Sequence, residues 1–242
     1  MKKCILYGNC QAEEIAKVLS EHKDFSRQYE IVYVCSYNTE TRGINLPTAA
    51  FSSADLLIYQ PLRGINIATK NDCIALTFPY IYNAGAFAMY EEDEYVKGAY
   101  PIRKLKWQGV PVDSVIAIAS SGKLFFNLQY RFDISFDMLF KREQQCDIKI
   151  SHLILDNYTE RRVFFTQNHV SNLILFGLIN GVLERIGLNK IPPGEWGPER
   201  MSFAWPVSEY DVSELGYKFG ASEGWFSYME HCIRRIYAGQ ER

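Results

Sequence analysis

The sequence lacks the features that mark several large classes of protein. None of its 242 residues belongs to an apolar stretch near the roughly 20 residues of a membrane span. The apolar residues that follow Met1–Lys3 are too few for the core of a signal peptide. Neither a GxGxxG nor a GxxxxGK(S/T) fingerprint occurs, which disfavours a Rossmann dinucleotide domain and a P-loop NTPase. Internal repeats and low-complexity linkers are also absent.

A strong charge of either sign is missing too. The chain has 26 Lys and Arg against 28 Asp and Glu, for a formal net charge of -2. This near-balance of charges does not indicate a nucleic-acid-binding protein. Its six cysteines are scattered without a CxxC pair, so they predict neither a disulfide scaffold nor a metal site. We therefore expect a cytoplasmic protein in a reducing compartment, with no metal and no nucleic-acid partner.

Short apolar runs separated by helical or loop spacers are what the sequence does contain. A helical pattern over residues 12–19 follows the first run, which stops at Gly8. This alternation predicts an α/β fold with a parallel sheet and right-handed crossovers. A single α/β domain over 1–242 is the simplest interpretation, and two small domains are the alternative. The predicted strands are residues 3–7, 29–35, 54–60 and 72–79.

The remainder of the chain is less regular. Residues 80–112 are rich in Tyr, Gly, Ala and Pro, and they predict a long irregular insertion. Beyond it, the patterns predict a helical C-terminal part interrupted by one short strand. A helical pattern covers residues 113–145, with mixed charge over 132–145. The other predicted helices are residues 149–158, 173–186 and 223–237, and the predicted strand is 162–166.

Polar or small residues follow three of the predicted strands at the point where each ends. Because the carboxyl ends of parallel strands share one edge, these residues could converge on one pocket. The three ends are Gly8-Asn9-Cys10, Gln60-Pro61 and Thr77-Phe78-Pro79.

The cysteine at the first of these turns is the leading candidate for chemistry. Cys10 lies at a predicted helix start, where unpaired N–H groups and the positive dipole end favour a thiolate. Oxyanion donors could come from the backbone of Cys10 and Gln11, or from the side-chain amides of Asn9, Gln11 and Gln60. The alternative is that Cys10 is a small residue filling a turn.

A thiol nucleophile needs a base, and four histidines are available. His22, His152 and His231 lie in helical patterns. His169 differs, because it follows a strand-like run and precedes a helix, within the polar cluster Thr166-Gln167-Asn168-His169. Its placement is equally compatible with a catalytic loop and with a hydrogen-bonded helix start.

Three blocks of the sequence together resemble the WcbI-type polysaccharide-biosynthesis acetyltransferases, and the resemblance spans roughly the whole chain. That family is similar to the SGNH hydrolases and esterases, whose first block is Gly-Asp-Ser after the first strand. The resemblance implies a parallel-sheet, SGNH-hydrolase-like (flavodoxin-like) three-layer α/β domain with additional helices. The blocks are Gly8-Asn9-Cys10-Gln11, residues 55–60 and residues 164–172.

An acyl-transfer function is what the resemblance implies. The chain would bind coenzyme A or acetyl-coenzyme A, and would transfer an acetyl group to a capsular or surface polysaccharide or its sugar precursor. Cys10 would be the nucleophile or hold the acyl group, and His169 would be the general base. Oxyanion or substrate contacts would come from Gly8, Asn9, Gln11, Gln60, Gln167 and Asn168, and cofactor phosphates would meet Arg63, Arg103 and Lys104.

Two positions depart from the SGNH pattern. Thr166 stands three residues before the histidine, where those enzymes place an acid, so Asn168 or Gln167 would have to orient His169. Val170 stands where a proline is expected. A carbohydrate esterase or deacetylase using the same Cys/His pair, and a non-catalytic carbohydrate-binding protein, are the alternative functions. No pattern in the sequence predicts the oligomeric state.

Overall fold

A parallel sheet of four strands lies in the first part of the chain, in the order β2-β1-β3-β4. The computed structural model describes residues 1–37, 48–61, 67–89 and 99–239. Each strand falls within or beside its predicted segment, which confirms the α/β fold with a parallel sheet. The strands are β1 Lys2–Gly8, β2 Tyr29–Cys35, β3 Leu56–Tyr59 and β4 Ile74–Thr77.

The interior position of β1 explains its composition. A strand with neighbours on both sides and covered faces is apolar throughout rather than alternating, and residues 4–7 are fully buried. On one face, Ile5 and Tyr7 pack with Phe51 and Leu57. The rings of Tyr7 and Phe51 meet edge to face at 5.8 Å. The first helix contacts both β1 and β2.

Ten α-helices lie in the described part of the chain, and none of them is long and apolar enough to cross a membrane. A single 3-10 turn, Pro193–Glu195, follows the eighth. The helices are α1 Cys10–Glu21, α2 Lys23–Ser26, α3 Thr48–Ser52, α4 Tyr100–Trp107, α5 Val112–Ser120, α6 Leu128–Glu143, α7 Ser151–Leu155, α8 Asn172–Arg185, α9 Glu209–Leu215 and α10 Trp225–Ala238.

The chain forms two compact units, each packed mainly within itself. The first comprises Met1–Ile81, Leu139–Leu155 and His169–Ser202, and it contains the sheet. The second comprises Tyr82–Met138, Asp156–Asn168 and Phe203–Arg242. Each unit is assembled from three separate stretches of sequence, so the single-domain interpretation stays a prediction.

Two predicted segments differ from the structure. Residues 80–112 are not irregular throughout, because they contain helix α4. This helix begins after Ala99, whose φ is positive at 53°. The helix carries a proline in its first turn. Residues 162–166 do not form a strand. The carbonyl of Phe165 accepts a backbone bond from Trp205, at 2.8 Å, and the Arg162 side chain donates to the carbonyl of Phe164.

Helix α9 was not predicted from the sequence. It begins with a capping box, in which the Ser208 hydroxyl accepts from the backbone of Asp211 and the Asp211 carboxylate accepts from the backbone of Ser208. A Ser-x-x-Asp spacing is close to the usual signature of such a box, so the signal was present in the sequence.

Candidate functional site

Cys10 is the first residue of α1 and lies two residues beyond the end of β1. The helix cap is Asn9, whose backbone is extended and whose side-chain oxygen accepts from the backbone N–H of Gln11 at 3.0 Å. The turn directly follows the last residue of β1, which runs parallel to its neighbours. It therefore stands at the carboxyl edge of the sheet, as the sequence predicted.

Gly8 allows a close approach that no other residue would permit. A Cβ at this position would lie 2.7 Å from Oε1 of Gln60 and 2.8 Å from the Cβ of Ala12. Helix α1 and Gln60 therefore pack directly on the glycine backbone. This contact gives Gly8 a steric role, and its predicted contact with substrate stays a prediction.

Two buried amides connect the turn to the neighbouring strand. Oε1 of Gln60 accepts from the backbone N–H of Asn9 at 3.0 Å, and Nε2 of Gln60 donates to Oε1 of Gln11 at 3.1 Å. The Gln11 amide then pairs with the backbone of Ile81, donating to its carbonyl at 2.7 Å and accepting from its N–H at 3.2 Å. The contacts give both glutamines a positioning role, and oxyanion donation by them stays a prediction.

Tyr33 also holds the turn, and sequence reasoning missed it. Its hydroxyl donates to the carbonyls of Gly8 and Asn9 at 3.2 and 3.1 Å. Tyr33 lies on β2 opposite Leu6 of β1, so the contact depends on strand pairing. A tyrosine inside an apolar strand carries no local signal that could have indicated this role.

The pKa of the Cys10 thiol differs from what the sequence predicts. Burial raises the pKa of the thiol from 9.0 to about 11, although the backbone N–H groups of Gln11 and Cys10 at the helix start lower it. The expectation of a readily formed thiolate is therefore wrong for this structure. The helix start acts as predicted, but desolvation outweighs it, so the thiol is protonated at neutral pH.

His169 belongs to the same compact unit as Cys10. It is partly exposed and precedes α8, whose cap is Ser171, so it lies outside the helix. Helix α8 packs against α1, the helix that Cys10 begins. These observations are compatible with the predicted Cys/His pair, and the pair itself stays a prediction.

The polar residues before His169 belong to the second unit. Thr166 is buried, and its hydroxyl donates to the side-chain oxygen of Asn168 at 3.2 Å. The backbone carbonyl of Gln167 accepts from the N–H of Asn83 at 2.8 Å. Orientation of His169 by Asn168 or Gln167, and substrate contact by either amide, stay predictions.

The candidate phosphate ligands are not brought together by any described contact. Arg103 and Lys104 lie on α4 of the second unit, with Arg103 partly buried and Lys104 exposed. Arg63 lies outside the described residues. In the parts of the chain that the structure does describe, no group of three or more His, Cys, Asp or Glu could hold a metal ion.

The fold and the turn at Cys10 define a class: an α/β protein with a cysteine at the carboxyl edge of a parallel sheet. The family described as polysaccharide biosynthesis enzyme WcbI matches residues 3–90 and 105–190. The chain therefore belongs to the WcbI family of polysaccharide biosynthesis enzymes, which confirms the resemblance seen in the sequence.

A solved structure of WcbI shares the fold. It aligns over 100% of this chain and 91% of its own, with a TM-score of 0.74 and 17% sequence identity. That structure is of the native WcbI protein without a disulfide bond between coenzyme A and one of its cysteines. Comparison with curated protein sequences gives no significant match.

Proposed function

We propose that this chain is an acetyl-coenzyme A-dependent O-acetyltransferase that acts on a capsular or surface polysaccharide or its sugar precursor. Family membership supports a role in polysaccharide biosynthesis. The association of a structurally similar protein with coenzyme A supports a thiol-bearing acyl carrier as the donor. The observation that carries the proposal is the position of Cys10, which begins α1 directly after β1 at the carboxyl edge of the sheet.

The placement of Cys10 also favours a relationship to SGNH hydrolases. Their nucleophile follows the first strand, and Cys10 follows β1 in the same way. Backbone N–H groups at a helix start can stabilise the oxyanion of an acyl group bonded to a sulfur there. The Tyr33 hydroxyl donates to the turn and Oε1 of Gln60 accepts from it, which keeps these N–H groups in place without reorganisation.

Acetyl-coenzyme A would supply the activated acyl group. The Cys10 sulfur attacks its carbonyl carbon, a new carbon–sulfur bond forms, and the bond to the coenzyme sulfur breaks. His169 takes the proton of Cys10 and passes it to the departing coenzyme A sulfur. The exchange is close to isoenergetic, because one thioester replaces another. A sugar hydroxyl then attacks the acyl-cysteine, His169 accepts the hydroxyl proton, and the thiol of Cys10 is restored.

The raised pKa of Cys10 sets the requirement for a base. At neutral pH the thiol is protonated, so it must lose its proton as the carbonyl is attacked. His169 is the candidate to accept it.

Trapping the acyl-enzyme tests the proposal. The pure protein is incubated with acetyl-coenzyme A without a sugar acceptor, and the Cys10 peptide is examined by mass spectrometry for an acetyl group. Cys10→Ala should abolish the label, whereas Cys73→Ala should retain it. Cys73 is the matched control because it is also partly exposed, but it precedes β4 at the other end of the sheet.

Binding is measured in parallel by calorimetry. Absence of heat with coenzyme A and acetyl-coenzyme A at millimolar concentration would contradict the donor. Binding without a label, together with hydrolysis of an aryl acetate that Cys10→Ala abolishes, would indicate an esterase instead.

A further inference from the structure

A second cysteine stands at the same edge of the sheet as Cys10. Cys35 is the last residue of β2, and in the parallel register it pairs with Gly8. Neighbouring strands are about 4.8 Å apart. Two peptide units separate Gly8 from Cys10, so their α-carbons are at most about 7 Å apart. The two cysteines therefore belong to one corner of the sheet, although 25 positions separate them in the sequence.

Tyr33 links the two cysteines. It lies two residues before Cys35, so both side chains project from the same face of β2. Burial raises the pKa of Tyr33, and the nearby Cys35 and Cys10 thiols raise it further. The same hydroxyl contacts the carbonyls of Gly8 and Asn9 at the start of the Cys10 turn. The Cys35 charge also contributes to the raised pKa of Cys10.

Exposure and position together distinguish this pair from the other thiols. Cys10 and Cys35 are both partly exposed, so a small disulfide could reach them. Cys73 is partly exposed as well, but it precedes β4, at the amino end of the opposite edge strand. The three remaining cysteines, Cys4, Cys146 and Cys232, are buried.

We infer that Cys35 is a resolving thiol, which displaces small thiols that have become disulfide-linked to Cys10. The inference rests on the proposed function, in that Cys10 is the reactive thiol of the site. Exchange of Cys10 with a small disulfide, such as the oxidised form of the thiol that the donor releases, would block Cys10 as a mixed disulfide. A second thiol beside it releases the small thiol and leaves a Cys10–Cys35 disulfide, which small reducing thiols open.

The exchange balances without an external oxidant. The Cys35 sulfur attacks the Cys10 sulfur, the bond between Cys10 and the small molecule breaks, and a Cys10–Cys35 disulfide forms. The departing sulfur takes up the electron pair and the proton that Cys35 gives up. Cys35 is thus oxidised and the small molecule is reduced to its thiol. Two equivalents of a small reducing thiol then restore both cysteines.

Dithiodipyridine, an aromatic disulfide, tests the inference on the full chain. Wild type, Cys35→Ser and the control Cys73→Ser are treated at about pH 9, where more of Cys10 is ionised than at neutral pH. Released thiopyridone is measured by absorbance, and the Cys10 peptide is mapped by mass spectrometry without reduction. In wild type and Cys73→Ser we expect a Cys10–Cys35 cross-link, with adduct on less than about a tenth of Cys10. In Cys35→Ser the adduct should persist on more than about nine-tenths of Cys10.

Each other outcome has a distinct meaning. An adduct that persists on Cys10 in wild type, to the extent seen in Cys35→Ser, overturns the inference and leaves the proposed function intact. Cys10 that carries neither adduct nor cross-link in any variant contradicts its role as the reactive thiol, and the proposed function fails with it. The wild-type map decides between these cases even if Cys35→Ser does not fold.

Discussion

Nε2 of Gln60 donates a 3.1 Å hydrogen bond to Oε1 of Gln11, and the exposed fractions of the two side chains are 1% and 0%. This pair explains why an amide rather than an apolar residue ends the β3 segment directly before a proline. Buried amides are stable only when their polar atoms are paired. Here the pairing connects the Cys10 turn, the end of β3 and the backbone beyond β4.

Gln60→Leu should destabilise the protein by about 1–3 kcal/mol, because it removes the acceptor of the Asn9 N–H and leaves the Gln11 side-chain oxygen with the Ile81 N–H as its remaining donor. Urea unfolding followed by circular dichroism measures the change. Gln129→Leu is the matched control, because Gln129 is exposed on α6, and it should shift stability by less than about 0.5 kcal/mol. Equal effects at both positions would contradict the positioning role of Gln60.

Gly8→Ala should cost about 1–3 kcal/mol, because the new Cβ meets Gln60 and Ala12 at distances under 3 Å. It should also lower the rate of Cys10 acylation, since Gln60 must move to make room. Gly194→Ala is the control, because no atom lies within 4 Å of the Cβ built there. An unfolding midpoint that Gly8→Ala leaves unchanged would show that the turn can relax.

Tyr33→Phe should cost about 1 kcal/mol through the lost hydrogen bonds to Gly8 and Asn9. The more specific consequence concerns Cys10, whose alkylation rate should change because the turn is less firmly held. Thermal unfolding and iodoacetamide labelling measure the two effects. Tyr130→Phe, on an exposed part of α6, should change neither. A labelling rate equal to wild type would exclude Tyr33 from positioning Cys10.

Alkylation of Cys10 should rise with pH well beyond neutrality. Burial raises the thiol pKa to about 11, so the thiolate fraction increases about tenfold per pH unit below that value. Iodoacetamide labelling of the Cys10 peptide, quantified by mass spectrometry between about pH 7 and 10, measures the profile. The rate should still be rising at the upper limit. A plateau below about pH 8 would mean that the helix start prevails over burial.

Most strands and several helices of the fold can be predicted from local sequence patterns. The four strands were predicted because each is a short apolar run bounded by turn residues, and α1 and α8 because of their periodicity and their ends. The missed helix α4 lies in a segment whose glycines, prolines and aromatics suggest a loop. The segment 162–166 was predicted as a strand from composition alone. Its carbonyls are instead bound by Arg162 and Trp205, and residue 205 is about 40 positions away.

The candidate site also has features that local sequence predicts and features that only the tertiary structure shows. By itself, the sequence determined that Cys10 follows a strand and begins a helix, because glycine, an asparagine cap and an amphipathic pattern act within a few residues. Tertiary structure alone decided that Gln60, Tyr33 and Cys35 gather around that turn, because strand pairing brings together residues 25–51 positions apart. It also decided the protonation of Cys10. The helix start that favours a thiolate is local, whereas the burial that outweighs it comes from the packing of distant segments.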